Sequence, residues 1–276
     1  MGHSDIGFLR LVKGFIKLGL CLLYFLLFLI GCLFINLLYV FFKSPFRKRL
    51  ISKWIRIFDL CLIRLINIKV KVSAPEGAAA SNGHGAFLVS NHLGYVDGLV
   101  LGSVFPLIYV SKSELRRWPV IGLMTELSGT LYIDRNRKNH IASYIELMAE
   151  VLKEGANILF FPEGTSSNGE GLQPFKSAFF EAPLAAGAPI VPISLIYRAV
   201  DRNPVTKENR DLVYWYGDMT FADHFFKLLL RDSVEVEVKI HPPVPLGEQQ
   251  DRSLLRKRAS ESARNSIWEG IRQSKA

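Results

Sequence analysis

The chain opens on a long apolar run. Residues 18–42 carry no formal charge and only one strongly polar side chain, Asn36. At ~1.5 Å per residue such a helix is long enough for a hydrocarbon core of ~30 Å. The pattern then changes: Phe46, Leu50, Ile51, Trp54, Ile57, Phe58, Cys61, Leu62 and Leu65 recur at three-to-four spacing among Arg and Lys, which predicts an amphipathic helix over 44–67. Beyond it the apolar segments shorten to strand length, at 68–72, 86–90, 107–110, 130–133, 157–161, 190–196 and the alternating 234–240. Helical patterns fall at 97–104, 114–127, 138–154, 175–186 and 250–273. This alternation predicts an α/β domain with a central, mostly parallel sheet flanked by helices. Residues 1–70 are expected to form membrane-anchoring helices and 71–276 a single domain, with 73–85 a flexible loop inside it.

Charge sharpens the division. The first 70 residues hold eleven Lys and Arg against Asp5 and Asp59, which is the whole net charge of +9, and leave 71–276 neutral. A neutral domain has no excess to spend on phosphates along a duplex, so nucleic acid is not an expected partner and a membrane surface is. Arg10, Lys13 and Lys17 precede the apolar run, and Lys43, Arg47, Lys48, Arg49, Lys53 and Arg56 follow it, so the positive-inside bias puts the large C-terminal part on the cytoplasmic side. Hydropathy does not distinguish a helix that spans from a hairpin that dips into one leaflet. The basic amphipathic helix is expected in the headgroup layer, with docking on the domain as its alternative. All three cysteines, Cys21, Cys32 and Cys61, lie before residue 62, so the domain has no thiolate nucleophile, disulfide or thiolate zinc site to offer. The six histidines show no metal-ligand spacing, and neither a metal nor another cofactor is expected.

Polar clusters follow four of the strands, where sheet proteins place their chemistry. After 86–90 comes Asn91-His92-Leu93-Gly94-Tyr95-Val96-Asp97. On one continuous helix five residues would turn Asp97 roughly 140° from His92, so the two meet only if His92 precedes the helix and Gly94 makes a tight turn. The carboxylate would then fix the imidazole tautomer and leave the other nitrogen as a base; the plainer reading is a helix cap beside a surface histidine. The strand 130–133 ends in Asp134-Arg135, a guanidinium suited to phosphate or a structural ion pair. Phe160-Phe161-Pro162-Glu163-Gly164-Thr165-Ser166-Ser167 switches from aromatics to a carboxylate, a glycine and three hydroxyls, fit to hold a polyol or phosphate or to form a capped turn, with Lys176 as a further cation. In Val191-Pro192-Ile193-Ser194 the proline implies an edge or irregular strand, and its apolar neighbours fit an acyl-chain contact or ordinary core.

Taken in order, these four segments resemble the motifs of the membrane-bound glycerolipid acyltransferases, the family that includes 1-acylglycerol-3-phosphate acyltransferase; the resemblance covers residues 86–200. It implies that His92 is the general base for a lysolipid hydroxyl and that Asp97 orients it. The hydroxyl would attack the thioester of acyl-CoA or acyl carrier protein directly, with no acyl-enzyme, as a step of phospholipid biosynthesis. It further implies that Lys112, Arg135, Glu163, Gly164, Thr165, Ser166 and Lys176 bind the acceptor, and that Val191, Pro192 and Ile193 face the acyl chain. One departure bears on the substrate. Phosphatidic-acid-forming bacterial members usually have Arg after E-G-T, where this chain has Ser166. The expected acceptor is lysophosphatidate; a lysophospholipid or an amino-acid-based lysolipid of the ornithine type is the alternative, and a non-catalytic lipid-binding protein a further one. A serine hydrolase is disfavoured by the absence of a G-x-S-x-G elbow.

Overall fold

The structure is a computed structural model that describes residues 3–42, 47–75, 85–134, 138–246 and 251–274. Its centre is a sheet of β1 (Ile68–Ser73), β2 (Phe87–Ser90), β3 (Leu107–Lys112), β4 (Leu131–Ile133), β5 (Asn157–Phe160), β6 (Ile190–Val200), the two-residue β7 (Asn203–Pro204) and β8 (Val234–Ile240). The spatial order is β1-β8-β6-β2-β5-β3-β4, with β7 on β6. Strands β6, β2, β5, β3 and β4 run parallel, β8 is antiparallel to β6, and β1 is parallel to β8. The parallel strands are apolar along their length because both faces are covered: all four residues of β2 are buried, while β8, with Val to one side and Glu or Lys to the other, alternates buried and half-buried. Most of the expected loop at 73–85 lies outside the described residues.

Around the sheet lie α3 (Tyr95–Val104), α4 (Ile121–Leu127), α5 (Ile141–Lys153), α6 (Glu181–Ala186), α7 (Phe221–Leu229) and α8 (Arg252–Gln273). All seven expected strands are present. Three expected helices are split; over 138–154 a 3-10 turn at Lys138–His140 precedes α5. Over 114–127, Trp118 is extended ahead of Pro119, the conformation a following proline enforces, so a 3-10 turn at Ser113–Arg117 stops and α4 restarts at Ile121. Over 175–186, a 3-10 turn at Ser177–Phe180 precedes α6. Helix α7 is not among the expected helices, although its buried His224, Phe225, Leu228 and Leu229 follow helical spacing. Pro192 does not mark an edge. It lies in β6, flanked by β2 and β8, opposite Val89 and just where the β8 ladder ends at Ile193↔Ile240, with its carbonyl accepting from His241 N.

The N-terminal part is one helix of 40 residues, α1 (His3–Phe42), followed by α2 (Arg47–Leu65). Within α1, Phe8–Tyr39 is long and apolar enough to cross a membrane, yet the helix is held along the domain. Lys17 Nζ donates to the carbonyls of Leu229 and Arg231 at the end of α7 (3.1 and 2.9 Å), Arg10 pairs with Asp232, and Asn36 Nδ2 donates to Leu127 O at the end of α4 (3.0 Å). Cys21, Phe28, Cys32 and Ile35 are buried on this side, while Leu22, Leu26, Ile30, Leu33 and Leu37 stay exposed. The apolar stripe of α2 does not face outward to a headgroup layer. Ile51, Ile55, Phe58, Leu62 and Ile63 are buried against α1 and α3, because a stripe that wide finds more apolar area on two helices than at an interface. Phe58 packs on Tyr24 and Phe28 at 4.8 and 4.3 Å between centroids.

Two glycines of α1 test this docking. A Cβ on Gly31 would lie 2.3 Å from the Trp54 ring, and one on Gly19 would meet nothing within 4 Å. Gly31→Ala is expected to lower stability by about 1–3 kcal/mol through overpacking, and Gly19→Ala to leave it unchanged or raise it by up to about 1 kcal/mol. Thermal melts of both variants in the same detergent check the pair.

Candidate active site

Because β2, β5, β3 and β4 are parallel neighbours, the loops that leave their C-terminal ends gather on one edge of the sheet. His92 leaves β2 and Glu163 leaves the adjacent β5. Lys112 closes β3, in register with Ile133 of β4. Arg135 follows β4 and lies outside the described residues. At ~4.8 Å per strand, Lys112 stands about 10 Å across the edge from the His92 loop.

The local turn at His92 is what the five-residue spacing requires. Helix α3 starts at Tyr95 with Gly94 as its N-cap and Asp97 at the third helical position. Asp97 is fully buried, and its Oδ2 accepts from the amides of Leu93 and Gly94 (the latter at 2.9 Å) and lies 2.9 Å from His92 Nδ1. Capping and imidazole contact are therefore done by one carboxylate. Gly94 is extended, and a side chain there would collide with the backbone of Trp215, whose amide donates to Leu93 O at 2.9 Å. The His92 ring lies flat on Phe161, 4.1 Å between centroids and 14° from parallel, and its side chain is 22% exposed. With a proton on Nδ1 toward Asp97, Nε2 is left on the open side as an acceptor.

Three further groups support this pair. Tyr197 of β6 donates to Asp97 Oδ1 at 2.8 Å from beneath the site, its hydroxyl held protonated by complete burial beside the carboxylate. Asn91, also buried, exchanges hydrogen bonds with Leu195 through both ends of its amide (2.9 and 2.8 Å), tying the loop to β6. Ser167 N donates to His92 O at 2.9 Å, so the hydroxyl-rich loop wraps the histidine backbone.

In the loop after β5, Glu163 is turned inward onto backbone amides. It is 5% exposed, with Oε1 accepting from His92 N and Oε2 from Gln173 N, both at 2.9 Å. Burial raises its carboxyl pKa, and the two amides pull the other way. Its work is to hold the β2 and β5 loops in register, since a buried carboxylate needs partners for its oxygens and finds one amide for each. From α8, Arg264 secures the far side by donating to Leu172 O at 2.9 Å. Gly164 takes φ +75, and a Cβ there would sit 2.3 Å from Lys176 Nζ, so the glycine lets the lysine lie across the turn. Thr165 is exposed and Ser166 half-exposed on the same turn. Val191, Pro192 and Ile193 are all buried within the sheet, which makes them core of the central strand rather than the wall of an open groove.

A serine–histidine pair does exist, but it is not a nucleophile. Ser194 Oγ lies 2.7 Å from His241 Nε2 and donates to Ile267 O, fully buried beneath α8.

The acyltransferase family model matches residues 69–196. The lyso-ornithine lipid O-acyltransferase of Pseudomonas aeruginosa is 30% identical over 225 residues, covering 82% of this chain and 81% of the relative. The 1-acyl-sn-glycerol-3-phosphate acyltransferase of Neisseria gonorrhoeae is 28% identical over 199 residues, 72% and 74% of the two chains. The crystal structure of the 1-acyl-sn-glycerophosphate acyltransferase from Thermotoga maritima superposes with a TM-score of 0.56 at 20% identity, over 88% of this chain and 95% of that one, a likeness of fold.

Glu163→Gln replaces one acceptor by an NH2 group facing an N–H donor, so it is expected to cost about 1–3 kcal/mol and to lower activity by displacing the His92 amide. Melting curves and turnover measured together check this; a stable, fully active variant would mean that Glu163 does not position the loop.

Proposed function

The chain belongs to the glycerolipid acyltransferase family, and from that premise we propose that it acylates the free hydroxyl of a lysolipid by direct attack on an acyl thioester, either acyl-CoA or acyl carrier protein. The observation that carries the reading is the His92 Nδ1 to Asp97 Oδ2 contact on a wholly buried carboxylate, with the imidazole still accessible. His92 Nε2 takes the hydroxyl proton as the oxygen bonds to the thioester carbonyl carbon. Asp97 stabilises the imidazolium. As the tetrahedral intermediate collapses, the carbon–sulfur bond breaks and the imidazolium returns the proton to the departing thiolate. No residue is acylated along the way.

The acceptor has two readings. Lys112 and Lys176 stand at the same sheet edge as His92, and with Arg135 they would suit the phosphate of lysophosphatidate. Ser166 favours the other: at this position the chain offers a hydroxyl rather than a guanidinium, and the Pseudomonas relative is named for lyso-ornithine lipid. An amino-acid head group brings a carboxylate and an ammonium, and needs fewer cations than a phosphomonoester.

The membrane end fits a lipid acceptor. Helix α1 keeps an apolar outer face along a domain that grips it from Arg10 to Asn36. We read α1 as lying along the membrane-facing side of the domain, on the cytoplasmic side of the bilayer. A lysolipid could then reach His92 without leaving the lipid phase.

Labelled oleoyl-CoA offered to the detergent-solubilised protein with lysophosphatidate and lyso-ornithine lipid side by side tests the reading. Product is expected from at least one acceptor, and His92→Ala should lower turnover by about 10²–10⁴-fold with the fold intact. Turnover undiminished in His92→Ala would overturn the mechanism, and product from lyso-ornithine lipid alone would decide the head group.

A further inference from the structure

Helix α2 carries an acidic residue in its buried stripe. Asp59 lies between Phe58 and Leu62, is 2% exposed, and faces α3 and β3. Its Oδ2 is 2.5 Å from Tyr109 Oη, and the same hydroxyl is 3.0 Å from Gly98 O in the first turn of α3. The place is built for these groups. A Cβ on Gly102 would be 1.9 Å from Asp59 Oδ2 and 2.2 Å from Tyr109 Oη, and one on Gly98 would be 3.4 Å from the tyrosine ring. Glycines four apart therefore cut a notch in α3 that the two side chains fill.

Counting protons decides the state of the pair. Tyr109 has one hydroxyl proton. Gly98 O can only accept, and so can an ionised carboxylate. Two separate bonds need two protons, which the pair has when Asp59 is a neutral acid that donates to Tyr109 Oη, leaving the tyrosine proton for Gly98 O. Complete burial acts in the same direction, holding the Asp59 carboxyl well above the usual carboxylate range. Among the described residues no cation pairs with it: Tyr109 on β3 and Tyr24 on α1 are the titratable groups that face it, Arg56 of α2 turns away to Ser103 O, and the charge of α3, Asp97, is engaged with His92.

We propose that Asp59 is a positioning residue: as a neutral carboxylic acid it donates to Tyr109, which donates to Gly98 O, and this relay fixes the first turn of α3 against the N-terminal helices. Gly98 adjoins Asp97, so the relay sets the height at which Asp97 meets His92. It rests on the acyl-transfer reading for its functional meaning. It also gives the N-terminal helices a polar, directional link to the turn that bears Asp97, where apolar packing alone would allow α2 to slide.

The test uses the full chain in detergent, with Asp59→Asn, Asp59→Ala and Tyr109→Phe. An amide can donate to Tyr109 as the acid does, so Asp59→Asn is expected to keep turnover within about twofold, whereas Asp59→Ala and Tyr109→Phe lower kcat about 10-fold with KM for both substrates unchanged. Infrared difference spectra of wild type against Asp59→Asn should show the C=O stretch of a protonated carboxyl at neutral pH. Stability gives a third readout. A folded-state pKa raised by burial means stability that is full below the unfolded carboxyl's range and declines as pH rises toward the folded value, so the melting temperature of Asp59→Asn should exceed that of wild type by a margin that grows with pH. Absence of the protonated-carboxyl band, or an Asp59→Asn variant as impaired as Asp59→Ala, overturns the proposal. The infrared and melting readouts need no turnover, so a protein inactive on every lysolipid would fail the functional reading while leaving the relay measurable.

Discussion

The buried carboxylate of Asp97 is the constraint on which the site depends. It caps a helix and positions a histidine with the same two oxygens: Leu93 N, Gly94 N and His92 Nδ1 on Oδ2, Tyr197 on Oδ1. A carboxylate without solvent is costly unless its lone pairs are filled, and here each oxygen has a donor. The carboxylate thus stands fully paired at the N-terminal turn of α3, whose dipole also favours a negative group. Moving any of the donors would move the charge or leave it unpaired, which explains why groups from β6 and the β2 loop converge there.

A second layer of polar contacts holds that first one in place. Glu163 ties the β5 loop to the His92 amide, Ser167 returns to the His92 carbonyl, Asn91 anchors the loop to Leu195, and Arg264 steadies the segment that presents Gln173 to Glu163. The hydroxyl-rich stretch after β5 is therefore in part scaffold. Over the left-handed Gly164 it presents exposed Thr165 and Lys176 and half-exposed Ser166. The N-terminal helices enter the same assembly, because α2 packs on α3 and α1 on α2, α4 and α7. The long apolar helix is thus attached to the domain through the helix that bears Asp97.

Much of this architecture is legible in the order of the amino acids. Strands announce themselves as short apolar runs because a parallel sheet covered on both faces admits little else, and helical rotation sets the condition under which His92 and Asp97 meet, a turn ahead of the helix, without deciding between that pairing and a plain helix cap. What stays hidden has a common cause: it is non-local. Tyr197 is 100 residues from the carboxylate it serves, and nothing in Ser194-Leu195-Ile196-Tyr197 marks a hydroxyl pointing beneath a site. The direction of Glu163 is equally invisible, since a carboxylate after a strand can face a ligand or an amide with the same neighbours in sequence. Pro192 misleads because pairing on one side of its strand ends beside it, a matter of register with β8. Asp59 is marked in the sequence as an acid within the apolar stripe of α2, and α7 by the spacing of Phe221, Phe225 and Leu228.

The account turns on the tautomer of one imidazole. Nitrogen-15 NMR of the 276-residue chain labelled in histidine, with His92 assigned by its loss in His92→Ala, reads that tautomer directly. The account predicts a neutral ring protonated at Nδ1 and bare at Nε2, a state lost in Asp97→Asn. A His92 ring carrying its proton on Nε2 in the wild-type protein would contradict it, because the nitrogen facing the acceptor could then take no proton.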